Sequence, residues 1–286
     1  MIKPIALAAL LAAVLASLPA HAEPDQALRA RLPADILAAG KMVSVNSGSF
    51  PPYEIVGDNN TLTGASADIG QAIGALLGVK VENTTVSGLS SVLTGIKAGR
   101  YQFAMGPIGD FKSRQDANDF VDYVQEYVVF AVQKGNPKHI DGLAQACGTK
   151  VAVMAAGSAE KVIKAQAAAC AAAGKPVLEV QSYTDQPTSL LAVRSKRADA
   201  FFSSQAPLTY FVEQARGDLE LAATGQANGF DALVQGAVVA KGSPLGPLLL
   251  DCIRTLMANG TYAAIMKKWG LERNMIATPG LNLSQN

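Results

Sequence analysis

The amino-acid sequence predicts an α/β fold divided between two domains. Its 286 residues, 49% hydrophobic and 16% charged, have the composition of a folded chain rather than a disordered one. That length suggests about two domains. Along it, runs of strand length alternate with segments of helical periodicity, the pattern of α/β layers. Two apolar runs also end alike: Phe130–Pro137 reads FAVQKGNP and Ala237–Pro244 reads AVVAKGSP. They are either two unrelated strands that stop at turns or a matched pair of extended connections, and the shared Lys-Gly-x-Pro endings favour the pair.

Residues 1–22 read as an export signal rather than as part of the fold. Lys3 supplies the positive start, Ile5–Leu18 the apolar stretch, and Ala20-His21-Ala22 a small-x-small cleavage site, so the mature chain is expected to begin at Glu23. The apolar run is short for a membrane span and meets Pro19. No cysteine follows it to carry a lipid. The formal net charge is +1, which argues against a broad electrostatic footprint for nucleic acid. Of the 3 cysteines, Cys147 precedes the strand Lys150–Val153 and Cys170 ends the alanine-rich helix after it. An oxidising compartment and that proximity predict a Cys147–Cys170 bridge, with three buried thiols as the alternative. Cys252 lies on an apolar helix face and is expected to be a buried thiol.

In order, Glu23–Lys41 reads as a leader with one short helix and Met42–Asn46 as a strand. Ser49-Phe50-Pro51-Pro52-Tyr53-Glu54 is a loop stiffened by two prolines. Asp58–Leu62 is a hairpin tip. Gly64–Leu77 is an apolar-periodic helix with Asp68 near its start, where a carboxylate suits the helix dipole. Val79–Asn83 is a strand, and Leu89–Ala98 a helix stopped by Gly99. The stretch Ala104–Tyr123 then carries the densest chemistry. A strand (Tyr101–Met105) leads into the turn Gly106-Pro107-Ile108-Gly109, a short polar helix holding Arg114, and an aromatic strand (Phe120–Tyr123). Glycine lets backbone N–H groups approach a ligand, and Arg114 carries a permanent charge on a planar donor fork that matches a carboxylate. Together they make an anion-binding corner, unless Arg114 is a solvated residue paired with Asp110.

Glu126–Gln133 follows as a continuous apolar strand. Gly148–Val153, Val177–Gln181 and Asp199–Phe202 are strands that alternate with helices opening at Ala156, Asp185 and Gln205. Gly157-Ser158 at the first of these helices offers N–H groups and a hydroxyl. After the strand Val234–Ala240 come the helices Leu245–Met257 and Tyr262–Lys268. Trp269 is expected to be a packing anchor.

These motifs resemble the family 3 extracellular solute-binding proteins, the polar amino-acid receptors of ATP-binding-cassette importers. The likeness rests on Phe50-Pro51-Pro52-Tyr53-Glu54, on Asp68, on Ile108 to Arg114 with Asp119-Phe120, and on Gly260-Thr261-Tyr262 with Lys268-Trp269-Gly270. It covers nearly all of the mature chain. It implies a type II two-lobe fold of the periplasmic binding proteins, with lobe 1 at 23–133 plus 240–286, lobe 2 at 134–239, and the two matched runs as crossover hinge strands. It further implies a periplasmic, monomeric receptor that binds a small carboxylate, most simply an amino acid or derivative, and docks on importer membrane subunits. In that likeness Gly109, Arg114, Gly157 and Ser158 grip the carboxylate, while Phe50 and Leu89 line the side-chain pocket. No cofactor is implied.

One departure stands out. The position where amino-acid receptors carry an aspartate for the ligand ammonium is Ser204 here, and the position used by receptors of basic amino acids is neutral near Ser47. Either another acid, such as Glu54 or Asp110, holds the ammonium, or the ligand lacks it. The same fold also supports a periplasmic dehydratase of prephenate-like acids and ligand-sensing subunits of membrane receptors. The sequence shows no nucleophile elbow, paired-histidine or Cys/His metal spacing, so the expectation is a binding protein without enzymatic activity.

Overall fold

The computed structural model describes residues 23–230 and 233–285; the export signal expected over 1–22 lies outside the described residues. The chain opens with α1 (Gln26–Arg29), α2 (Ala34–Ala39), β1 (Lys41–Asn46), and a small meander of β2 (Ser49–Phe50), β3 (Glu54–Val56) and β4 (Leu62–Thr63). Then come α3 (Ala65–Leu77), β5 (Lys80–Thr85), α4 (Gly88–Lys97), β6 (Ala104–Gly109), α5 (Lys112–Gln115) and β7 (Asn118–Glu126). Past Tyr127 the chain builds β8 (Val128–Gln133), β9 (Lys150–Met154), α6 (Ser158–Ala172), β10 (Glu179–Tyr183), α7 (Gln186–Arg194), β11 (Ala200–Ser204), α8 (Gln205–Gln214) and β12 (Leu219–Ala222). It closes with β13 (Leu233–Ala240), α9 (Leu245–Ala258), α10 (Thr261–Lys268) and β14 (Met275–Leu281).

Strand pairing sorts these elements into two lobes. In the first, β6, β13, β7 and β14 form one antiparallel sheet in the order β14-β7-β13-β6. The parallel pair β1-β5 joins it through a bridge from Ser44 to Phe103. In the second, the order is β10-β9-β11-β8-β12. The strand β8 shows why this second sheet is buried on both faces. Its residues alternate between two cores, with Val128, Phe130 and Val132 in one and Val129 and Ala131 in the other. Helix α6 covers the first face through Ala159 and Ile163, and α7 and α8 cover the second through Leu190, Val193 and Leu208.

Two features differ from the expected organisation. The run Glu126–Gln133 is not one strand. Asn118–Glu126 belongs to the first sheet, and Val128–Gln133 pairs with β11 and β12 in the second. The return strand Leu233–Ala240 pairs entirely with β7 and β6. The sheets therefore change at Tyr127 and before Leu233, not at 133/134 and 239/240. Apolar composition cannot see this change, because both sheets bury the same residue types. The turn expected at Gly106–Gly109 is instead the body of β6, buried along its length. Gly106 there has φ +76°, and a Cβ on it would sit 2.6 Å from the Gly236 carbonyl oxygen. Gly236 is tighter still, since its Cβ would sit 2.0 Å from the Val121 carbonyl oxygen. The glycines serve close strand packing at a register shift rather than a turn.

Smaller expectations can be placed as well. The leader holds two short helices, not one. The bond Cys147–Cys170 is formed, with its Cα atoms 5.7 Å apart, and it ties the segment before β9 to the end of α6. Cys252 is a buried thiol. Asp68 accepts hydrogen bonds from Trp269 Nε1 at 2.8 Å and Lys268 Nζ at 2.7 Å, so both residues lock α3 to the end of α10. Among the described residues no helix is long and apolar enough to cross a membrane.

Candidate functional site

Where the lobes face each other they form a narrow cleft with a cavity volume of about 50 Å³. Every residue expected at a site lines it: Phe50, Leu89, Gly109 and Arg114 from the first lobe, Gly157, Ser158 and Ser204 from the second. They come from the ends of elements rather than from one stretch. Phe50 ends β2, Leu89 lies in the first turn of α4, Gly109 ends β6, Gly157 caps α6, and Ser204 ends β11. Cleft residues at the carboxyl ends of β9 and β11 are where α/β sheets place ligands.

Arg114 spans the cleft. Its Nη1 donates to the Gly109 carbonyl at 2.7 Å, and its Nη2 donates to the Ala156 carbonyl of the opposite lobe at 2.5 Å. Its guanidinium lies 5.2 Å from the Phe111 ring centre. No ion pair with Asp110 holds it. Burial lowers its pKa to about 10, partly offset by Asp110, so the group stays charged at neutral pH. A guanidinium has five N–H donors, and these two bonds leave others for an anion. Gly109 thus lies at the end of β6 rather than in a turn, and its carbonyl orients Arg114.

Across the cleft, α6 starts with Gly157 as N-cap and Ser158 as its first residue, with no side-chain cap. Its first turn is held from behind, because Glu160 accepts from the Ala156 N–H at 2.8 Å and the Ser182 hydroxyl at 2.5 Å. The first turn of α6, where a helix leaves N–H groups without intrahelical partners and its dipole is positive, lines the cleft through Gly157, Ser158 and Ala159. Phe50, Leu89, Val92, Ile108 and Met154 form its apolar walls. Tyr53, which the sequence leaves open, is fully buried. It stacks near Phe50 at 5.7 Å and donates its hydroxyl to Glu126 at 2.8 Å.

Of the two acids suggested as partners for a ligand ammonium, only Glu54 faces the cleft. It is 5% exposed, and its Oε2 accepts from the Ser47 N–H at 3.3 Å and the Ser47 hydroxyl at 3.4 Å. Burial outweighs these bonds and pushes its pKa up to about 7. Asp110 is turned away, accepting from Gln115 Nε2 at 2.8 Å and the Ser284 N–H at 2.9 Å. Its neighbour Asp122 is raised to about 8, by burial first and by Asp110 second. Ser204 ends β11 inside the strand rather than after it, and Gln235 Nε2 reaches its hydroxyl at 3.5 Å.

Gln235, Met154, Asn46 and Ser203 also line the cleft and were not singled out from sequence. Gln235 carried one legible signal: it is the sole polar side chain in the strand Leu233–Ala240. Among the described residues no cluster of histidine, cysteine and carboxylate side chains is arranged to hold a metal ion.

Known proteins are similar to this chain in sequence and in fold. The family model for bacterial extracellular solute-binding proteins, family 3, matches residues 42–272. The arginine-binding protein ArgT of Corynebacterium glutamicum is 24% identical over 89% of this chain and 82% of its own length. The L-cystine-binding protein TcyJ of Escherichia coli is 25% identical over 78% of this chain and 79% of its own. Among solved structures, an ancestral arginine-binding protein bound to glutamine superimposes with a TM-score of 0.73 at 24% identity, over 82% of this chain and 99% of that one. With the match spanning both lobes and the cleft between them, the chain belongs to the bacterial extracellular solute-binding proteins, family 3.

Proposed function

We propose that this protein is the periplasmic receptor of an ATP-binding-cassette importer and that its cleft takes an amino acid or amino-acid derivative by its carboxylate. The observation that carries the reading is the meeting, in one cleft, of the charged Arg114 from one lobe and the open first turn of α6 from the other. Both favour an anion, and a carboxylate bound between them ties the lobes together. The apolar walls take the side chain. Glu54, the one acid lining the cleft among the described residues, supplies the negative charge that Ser204 lacks. The named ligands of the relatives, arginine and cystine, are amino acids, which agrees with this class without choosing a member.

The chain divides into lobe 1 at 23–127 plus 233–285 and lobe 2 at 128–230, with a hinge at Tyr127. Closure about this hinge buries the ligand and presents a joined face to the membrane subunits. Residues 1–22 direct export and are removed.

The test is thermal unfolding of ligand-stripped protein against the common L-amino acids and their deaminated carboxylates. A ligand at a hundred times its Kd stabilises by about 2.7 kcal/mol, a readable shift. Arg114→Ala is expected to weaken a bound carboxylate by about 2–5 kcal/mol. Unchanged affinity in a folded Arg114→Ala protein refutes the reading.

One observation favours a second reading. A cleft carboxyl raised to about 7 has the pKa of a general acid, as a dehydratase on this fold would use. Incubation with prephenate-like and arogenate-like acids separates the two: quantitative recovery of unchanged acid is expected of a receptor, and turnover of an enzyme.

A further inference from the structure

We infer that Gln235, together with Ser204, receives a nitrogen-bearing hydrogen-bond donor on the bound carboxylate and so selects amino acids over 2-oxo acids. This rests on the cleft being a carboxylate site.

Gln235 is 3% exposed and lines the cleft. Its Nε2 is directed to Ser204 at 3.5 Å, and its Oε1 has no hydrogen-bond partner among the described residues. A buried carbonyl oxygen without a donor is costly, so a ligand that brings one is favoured over a ligand that does not. The position of Gln235 says where that donor sits on the ligand. In the sheet it pairs with Gly109, whose carbonyl holds Arg114. Paired strand residues lie about 5 Å apart, so the acceptor is close to the carboxylate site and suits a group on the adjacent carbon.

Ser204 adds a second uncharged oxygen from the other lobe. Ser203, beside it, is committed to Gln186 by a hydrogen bond of 3.0 Å, which leaves Ser204 as the available hydroxyl. An ammonium or amide N–H at this place meets Gln235 Oε1 and Ser204 Oγ as acceptors. A 2-oxo group brings only a lone pair and faces the glutamine oxygen unfavourably. Because Gln235 sits on β13 and Ser204 on β11, a donor that engages both also spans the lobes. Neutral oxygens thus supply directional recognition, while Glu54 supplies charge.

The experiment measures Kd for the common L-amino acids and their 2-oxo acids in wild type, Gln235→Met, Gln235→Glu and Arg114→Ala, with apo thermal unfolding to verify folding. The inference expects Gln235→Met to weaken the best-bound amino acid about tenfold or more and to leave its 2-oxo acid unweakened. Gln235→Glu, which keeps the shape and adds charge, is expected to hold the amino acid at least as tightly as wild type. Equal losses for both ligand types, no loss in Gln235→Met, or wild-type preference for the 2-oxo acid overturns it. Arg114→Ala separates the two levels. Retained binding there removes the carboxylate reading itself, whereas its loss beside an unaffected Gln235→Met removes only the role of Gln235.

Discussion

With Glu54 as the charge partner, the affinity for a cationic amino group is expected to rise with pH through neutrality. Burial raises its pKa to about 7, so near neutrality it is divided between acid and carboxylate. Only the carboxylate balances a ligand ammonium. The apparent affinity therefore scales with the ionised fraction, about 3% at pH 5.5 and about 75% at pH 7.5, which predicts about 25-fold tighter binding at the higher pH. Arg114, at about 10, does not titrate in this window, so carboxylate recognition contributes no slope. Isothermal titration at half-unit steps reads the effect directly. It also reads a proton released on binding at pH 5.5, since the bound cation draws Glu54 to its ionised form. The control is Glu54→Gln, expected to bind more weakly at pH 7.5 and with a flat profile. A wild-type affinity constant from pH 5.5 to 7.5, or a slope that survives in Glu54→Gln, refutes the assignment of Glu54 as the charge partner.

Two further outcomes follow from the fold. Glu54, Glu126 and Asp122 have folded pKa values near 7, 8 and 8, raised by burial above their unfolded values near 4. A carboxyl with a raised folded pKa stabilises fully below its unfolded pKa and loses that stability as pH rises through the folded one. The apo protein is therefore expected to unfold at lower temperature at pH 8.5 than at pH 5.5, at on the order of 1 kcal/mol per pH unit for each group; a midpoint that rises over this range contradicts the burial of these acids. Replacing Cys147 and Cys170 together by serine opens a cross-link across a separation of 23 residues and is expected to cost about 3 kcal/mol in denaturant unfolding. An unchanged midpoint means that the bond adds nothing to the fold.

The sequence led to residues that line the cleft more directly than to the strands around it. Arg114, Gly157 and Ser158 carry their chemistry locally, in a charge and in a helix start, and the fold brings them to one cleft. The misread elements are those where tertiary packing overrides local preference. Gly106-Pro107 has the composition of a turn, yet β6 needs small residues there because Gly236 passes within clash distance of any side chain. Strand β14 escaped notice because Pro279 lies within it. Its place at the edge of the sheet explains why a proline is tolerated. Tyr127 gives no sign in sequence that the chain changes sheets there. Its side chain is 44% exposed while the residues on both sides are buried, a distinction that only the fold creates. Glu54 and Asp110 were equal candidates on paper. Asp110 is consumed by Gln115 and Ser284, and that partner choice separates them.

Charge and direction of recognition reside on different residues, and pH can pull them apart. Glu54 distinguishes a ligand ammonium from a neutral group only when ionised, whereas Gln235 and Ser204 act at every pH in the working range because neither titrates there. The preference for an amino acid over its 2-oxo acid is therefore expected to shrink from pH 7.5 to pH 5.5, by up to about 25-fold, as Glu54 takes up a proton. It should not shrink to nothing. The remainder at pH 5.5 belongs to the hydrogen bonds of Gln235 and Ser204, and it should shrink in Gln235→Met, to what Ser204 alone supplies, while the pH-dependent part survives. Competition of a labelled amino acid with its 2-oxo acid at the two pH values, in both proteins, separates the contributions. A selectivity that does not change with pH removes Glu54 from recognition. One that vanishes at pH 5.5 in the wild type assigns all of it to Glu54 and none to Gln235.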